Sequence, residues 1–215
     1  WPIAIYRLSL TLPLPLLGLG LFLVAYSPAL AVPFVYDDLA EIVSNPAIHD
    51  LKDLKAILDY NPARVLLLFT FASQWALHGA NPLPYHALNL ALHGLSAGLV
   101  FPLGRRLPRV KSAPATPGEW ANLGPLLASL IFLLLPLFVE TVTYIASRSS
   151  GLCALLYLGA VLAYCRFRDE AQRGEEAWPY YLLTLALTAA AVATKEIAAT
   201  LPAALILADR LLVPA

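Results

Sequence analysis

The 215-residue chain has no methionine and few charges: Asp, Glu, Lys and Arg make up 13% of it, 14 basic against 14 acidic. A net charge of zero leaves no basic surface to attract nucleic acid, so no nucleic-acid partner is predicted. There is no glycine-rich phosphate loop and no Cys/His metal spacing, which leaves nucleoside triphosphate chemistry without support. The two cysteines, Cys153 and Cys165, share one predicted helix and stand roughly 18 Å apart on it at 1.5 Å per residue. They are too far apart to pair and say nothing about redox compartment. Because translation begins with methionine, its absence implies that at least the N-terminal end is missing. The final "ADRLLVPA" reads as the ordered part of a larger protein stopping short. No cleavable signal is predicted, since the first apolar segment is too long and runs straight into an acidic loop.

What is present in quantity is apolar: 60% of residues are hydrophobic and the mean hydropathy is +0.71. The expectation is an all-α, polytopic helical membrane protein, with residues 1–215 forming a single membrane domain and no soluble repeat domain. About six spans are predicted, at 3–32, 83–103, 120–139, 151–164 with an upstream extension toward Thr143, 178–194 and 197–212. Pro13 and Pro15 are expected to kink the first. Residues 33–63 form an acidic loop with short interfacial helices, and 64–79, too short to cross comfortably, form a further interfacial helix. Basic residues alternate with the spans: Arg7 begins the first, Arg105, Arg106, Arg109 and Lys111 follow the second, Arg166, Arg168 and Arg173 follow the fourth, and Arg210 ends the last. The positive-inside rule puts all of these on the cytoplasmic side and the acidic loop outside.

This map gathers the polar residues that are hardest to bury at the outer end, from five segments. Asp37 and Asp38 suit a general base toward an acceptor hydroxyl, or oxygen ligands for a divalent cation, and one of them also suits a helix cap. Tyr85, His86 and Asn89 begin the second span; His86, Asn89 and His93 fall on one helical stripe, with interhelical hydrogen bonding as the reading for the deeper His93. Arg148 and Lys195 are cations able to hold a phosphate, or else to pair with Glu140 and Glu196. No metal site is specified by spacing; Asp37, Asp38 and His86 would be its ligands. Gly18, Gly20, Gly98, Gly124 and Gly159 read as close-packing positions between helices.

The ordered stretches "FVYDDLAEIVSNPAIHDL", "LFTFASQWALHGANPLPYHALNLALH" after Arg64, "LPLFVETVTYIASRSS" and "ATKEIAATLPAALILAD" resemble the N-terminal membrane region of the transmembrane and tetratricopeptide-repeat O-mannosyltransferases and their bacterial relatives, of the GT-C class. The resemblance covers nearly the whole chain. It implies an enzyme that moves a sugar from a polyprenyl-phosphate donor to an acceptor hydroxyl, on a protein or glycan, outside the cytosol. Residue by residue it implies Asp37 or Asp38 as the base, Arg148 and Lys195 as the clamp for the donor phosphate, and Arg64, Tyr85, His86, Asn89, Glu140 and Glu196 as substrate-binding or supporting groups. The chain departs from the family pattern where His-Pro is Leu135-Pro136, where a second histidine is Phe138 and where an acidic residue is Ser150. The membrane implied is the bacterial inner membrane, or the endoplasmic reticulum in a eukaryote. Two other readings stand beside the enzyme: a non-catalytic subunit of the same fold within a larger membrane complex, favoured by the lost histidines, and a transporter, which mid-membrane charges would mark.

Overall fold

The computed structural model describes residues 13–107 and 122–213. The predicted span ends at Ile3 and Trp120 and the basic residues Arg7, Arg109 and Lys111 lie outside that set. Among the described residues every regular element is helical. Three helices are long and apolar enough to cross a bilayer, and a bent pair raises this to four. The protein is thus an integral membrane protein.

The first apolar segment is α1 (Pro13–Tyr26), prolonged by a tighter turn through Ala31. Pro13 and Pro15 stand where the described residues begin, and the part of the predicted span that precedes them lies outside that set. The acidic loop then folds into short pieces, including the wide turn Leu39–Val43 and α2 (Leu54–Tyr60), which starts where the Asp53 carboxylate accepts the Ala56 N–H at 2.9 Å. Its Ile42, Ile48 and Ile57 are buried against Leu67, Leu68, Phe71 and Ala72 of α3 (Val65–His78) and against Tyr85 and Ile145. At 14 residues α3 is about 21 Å long, short of a hydrocarbon core of about 30 Å. It ends at Gly79, whose φ of 55° reverses the chain at no side-chain cost.

Helix α4 (Pro82–Gly104) is central. Asn81 caps it by accepting the Leu83 N–H, and it packs on α5 (Leu123–Leu134) and on α7 (Arg148–Arg173). Between those two, the chain bends by 44° at Leu135-Pro136 and continues through a short turn into α6 (Val139–Thr143). Helix α7 begins at Arg148 and runs 26 residues, nine beyond the predicted Tyr164. A left-handed Gly174 closes it, with the Glu175 N–H reaching back to the Glu170 carbonyl. Helix α8 (Trp178–Val192) packs along α7, and after the turn Glu196–Thr200 comes α9 (Leu201–Leu211). At 15 and 11 residues the last two are shorter than the predicted spans.

Both cysteines lie buried and free on α7. Of the five glycines read as packing positions, Gly18 bears this out: a Cβ there would meet Leu130 Cδ2 at 2.2 Å. Gly159 faces Leu187 at an ordinary 3.4 Å, while among the described residues nothing lies within 4 Å of a Cβ at Gly20, Gly98 or Gly124. The bundle end away from Asp37 is tied by ion pairs, Arg106 with Asp169 and Arg168 with Asp209, joining α4 to α7 and α7 to α9.

Candidate active site

One polar cleft of about 310 Å³ opens where the acidic loop, α3, α6, α7 and the α8–α9 junction meet. Asp37 and Glu41 line one side; they are four apart on the same short helical stretch and so share a face. Arg64 enters from the start of α3, Glu140 and Tyr144 from the segment after the bend, Ser147, Ser149 and Ser150 from the start of α7, and Lys195 from beyond α8. Four of the ten expected site residues, Asp37, Arg64, Glu140 and Lys195, therefore line one cavity.

The aspartate pair divides. The Asp37 side is exposed, and its backbone N–H donates to the Tyr144 hydroxyl at 2.8 Å. Desolvation, with the neighbouring carboxylates, raises the Tyr144 phenol above its ordinary range, so it stays protonated. Asp38 is 0% exposed; one carboxylate oxygen accepts the Ala146 N–H at 2.7 Å and the other the Val35 N–H at 3.1 Å. Burial pushes its carboxyl above the usual carboxylate range, against the pull of those two amides. Asp38 thus pins the 144–148 turn to the loop and is absent from the cleft lining, which leaves Asp37 as the aspartate of the pair that faces the cleft.

Arg148 likewise stands behind the cleft and does not line it. It is 0% exposed, donating to Asn89 Oδ1 at 2.9 Å, the Tyr85 carbonyl at 3.3 Å and Thr70 Oγ1 at 3.4 Å, with its guanidinium 4.4 Å over the Phe71 ring. Asn89 completes the knot by donating to the Tyr144 and Ile145 carbonyls at 3.2 and 3.3 Å. Tyr85 is buried with its hydroxyl on the Gly79 carbonyl, and buried His86 holds the Val32 carbonyl through Nε2 at 3.0 Å. These four form a wall behind the cleft, and none lines it. Neither expected charge pair forms: Glu196 takes Arg64 in a two-point contact at 3.0 and 3.1 Å, and Lys195 Nζ donates to Ser150 Oγ at 2.7 Å. The Arg64 contact lowers Glu196 below the usual glutamate range.

A metal centre on Asp37, Asp38 and His86 is not supported, because the last two are committed to backbone partners. Among the described residues no three His, Cys, Asp or Glu side chains converge. Ser149 was missed by the sequence reading. It is 8% exposed, lines the cleft and its hydroxyl has no bond to another described residue. Glu41, Tyr144, Ser147 and Ser150 complete the polar lining; the Asp37–Glu41 spacing and the hydroxyls where α7 begins were the available signals.

An apolar groove of about 450 Å³ adjoins the cleft. It runs along Phe132, Cys153, Ala154, Tyr157, Leu158, Ile197 and Thr200, and it shares Ser150 and Lys195 with the cleft. A cation and a hydroxyl thus sit where polar and apolar spaces meet.

No family model and no solved structure matches the chain. It is similar to human protein O-mannosyl-transferase TMTC4, at 30% identity over 76% of this chain and 24% of that protein. It is also similar to human TMTC3, at 25% over 82% and 19%, and to Tmtc1 of Drosophila melanogaster, at 28% over 84% and 21%. The chain is a relative of the TMTC protein O-mannosyl-transferases. It spans about a quarter or less of the length of these TMTC proteins, and the matched part includes most of the helical bundle. The TMTC relationship agrees with the motifs that carried the resemblance, each of which contributes to the cleft or to the wall behind it.

Proposed function

We propose that this chain is the membrane region of a GT-C-type glycosyltransferase that moves a sugar, a mannose by analogy with its relatives' names, from a polyprenyl-phosphate donor to an acceptor hydroxyl. In this reading α8 and α9 complete six crossings, α3 lies in the interface, and the cleft faces the non-cytoplasmic side, as the distribution of basic residues favours. The donor's chain lies in the groove along α7. Its phosphate sits at Lys195, Ser149 and Ser150, at the first turn of a 26-residue helix whose dipole favours an anion. Asp37 takes the proton of the acceptor hydroxyl, and Arg64 stands across the cleft as a second cation that can turn from Glu196 toward developing charge. The observation that carries the reading is the meeting of a polar cleft and an apolar groove at Ser150 and Lys195, as a lipid phosphate requires.

Chain length tests this. Ala154→Trp, which fills the groove, is expected to raise the KM for a long-chain polyprenyl-phosphate mannose while sparing a water-soluble short-chain donor. Lys195→Ala is expected to weaken both donors at least tenfold, since a charge-assisted bond contributes about 1.5–3 kcal/mol. Equal loss for both donors in Ala154→Trp, or an unchanged KM in Lys195→Ala, would contradict the reading.

A further inference from the structure

His93 lies two turns below His86 on α4, away from the cleft, and the mechanism makes no use of it. It is buried at 5% exposure inside an aromatic cage, its ring 5.2 Å from Phe132, 5.6 Å from Phe138, 5.8 Å from Phe22 and 6.4 Å from Tyr26. Its Nε2 lies 3.2 Å from the Leu133 carbonyl oxygen. A carbonyl only accepts, so Nε2 carries the proton.

That carbonyl lies at the break in the bent span. In an unbroken helix the Phe132 carbonyl would take an N–H from residue 136, and Leu133 from residue 137. Residue 136 is proline and has none, and Leu135 is extended at ψ 123°, which ends the ladder; the Phe138 N–H closes on Leu135 instead at 3.2 Å. Within a bilayer no water replaces such a donor, and an unpaired carbonyl costs several kcal/mol. A bend there needs a side chain to supply the missing N–H, and His93 is placed to do so.

We propose that His93 is a positioning residue: by donating to Leu133 across the α4–α5 contact it fixes the 44° bend that aims α6 at the cleft, and so sets where Glu140 and Tyr144 stand. Val142 of α6 is buried in the same cluster as Phe22, Tyr26, Leu90 and Leu133, so the bend and the cage are packed as one unit. Phe138 belongs to this unit, facing His93 within the protein instead of the cleft. The bend itself is independent of the proposed function, while its bearing on transfer rests on that reading.

Spin labels at Leu83→Cys, at the start of α4, and Leu137→Cys, 80% exposed on the bent segment, report the bend in the full-length protein in bicelles, since Cys153 and Cys165 are buried. His93→Leu keeps the volume and removes the donor; His93→Gln keeps an N–H donor. The distance distribution is expected to shift or broaden in His93→Leu and to return in His93→Gln. In mannosyl transfer, kcat should fall in His93→Leu, up to about 100-fold for a displacement of about 1 Å, with donor KM unchanged, and recover in His93→Gln. An unchanged distance in His93→Leu, or a His93→Gln protein that fails as His93→Leu does, overturns the proposal. Should His93→Leu not fold, His93→Gln decides alone: it must keep the wild-type distance. A normal distance in both variants with transfer lost would be an outcome against the pin, whereas a shifted distance in a protein with no transferase activity would refute the function and leave the pin standing.

Discussion

Asp37→Asn is expected to lower transfer by roughly 10²–10⁴-fold, the usual contribution of a positioned general base, without disturbing the fold. Asp37 lines the cleft and is held to the structure by its backbone, through Tyr144, so its carboxylate can be changed without loss of that anchor. Asp38→Asn is expected to behave oppositely. Each oxygen of Asp38 accepts a backbone N–H, and an amide has one oxygen to offer; its NH₂ would face either Val35 or Ala146. Leaving one buried donor unmet costs about 1–3 kcal/mol. Thermal unfolding in detergent together with single-turnover transfer separates the two variants. Should Asp38→Asn unfold normally and lose transfer while Asp37→Asn is active, the division of the pair is wrong.

The second large effect concerns Arg148. Arg148→Leu strips donors from Asn89 and from the Tyr85 carbonyl and leaves the knot behind the cleft open, with an expected loss of about 3–5 kcal/mol, the scale seen when one partner of a buried charged network is removed. Arg148→Lys should recover little, because a single ammonium cannot span Asn89, Tyr85 and Thr70 as the planar fork does. Expression as a monodisperse species and midpoint of thermal unfolding measure this. If both variants fold normally and only donor affinity falls, Arg148 contacts the phosphate after all.

The contrast between Arg148 and Lys195 shows what the sequence could carry. Charge alternation and apolar runs located the helices and brought the awkward polar residues to one end, because both signals are local and periodic. Which of two neighbouring aspartates faces the cleft is not periodic information: it follows from the left-handed Tyr36, φ 49°, and from the turn that brings Ala146 over Asp38. Arg148 and Lys195 are both cations at helix boundaries, and only the tertiary packing of Phe71 and Tyr85 around the first distinguishes a buried guanidinium from an ammonium that lines the cleft. Glu140 and Lys195, which line the cleft, were legible as polar groups brought to one end since each ends an apolar segment. Ser149 was not, since a small hydroxyl beside a charge gives no pattern of its own. The length of α7 escaped because "CRFRDEAQR" is polar, and helix propensity past the apolar stretch extended it to Gly174.

The most direct test of the account is to find where the donor's lipid lies. A polyprenyl phosphate with a photoreactive diazirine on its proximal isoprene units, irradiated in bicelles with the wild-type protein, is expected to label Tyr157, Leu158 and Phe132, the groove residues, and to lose that labelling in Lys195→Ala. Labelling confined to the exposed face of α8, or labelling of the groove that is indifferent to Lys195 and matched by the phosphate-free polyprenol, would contradict it.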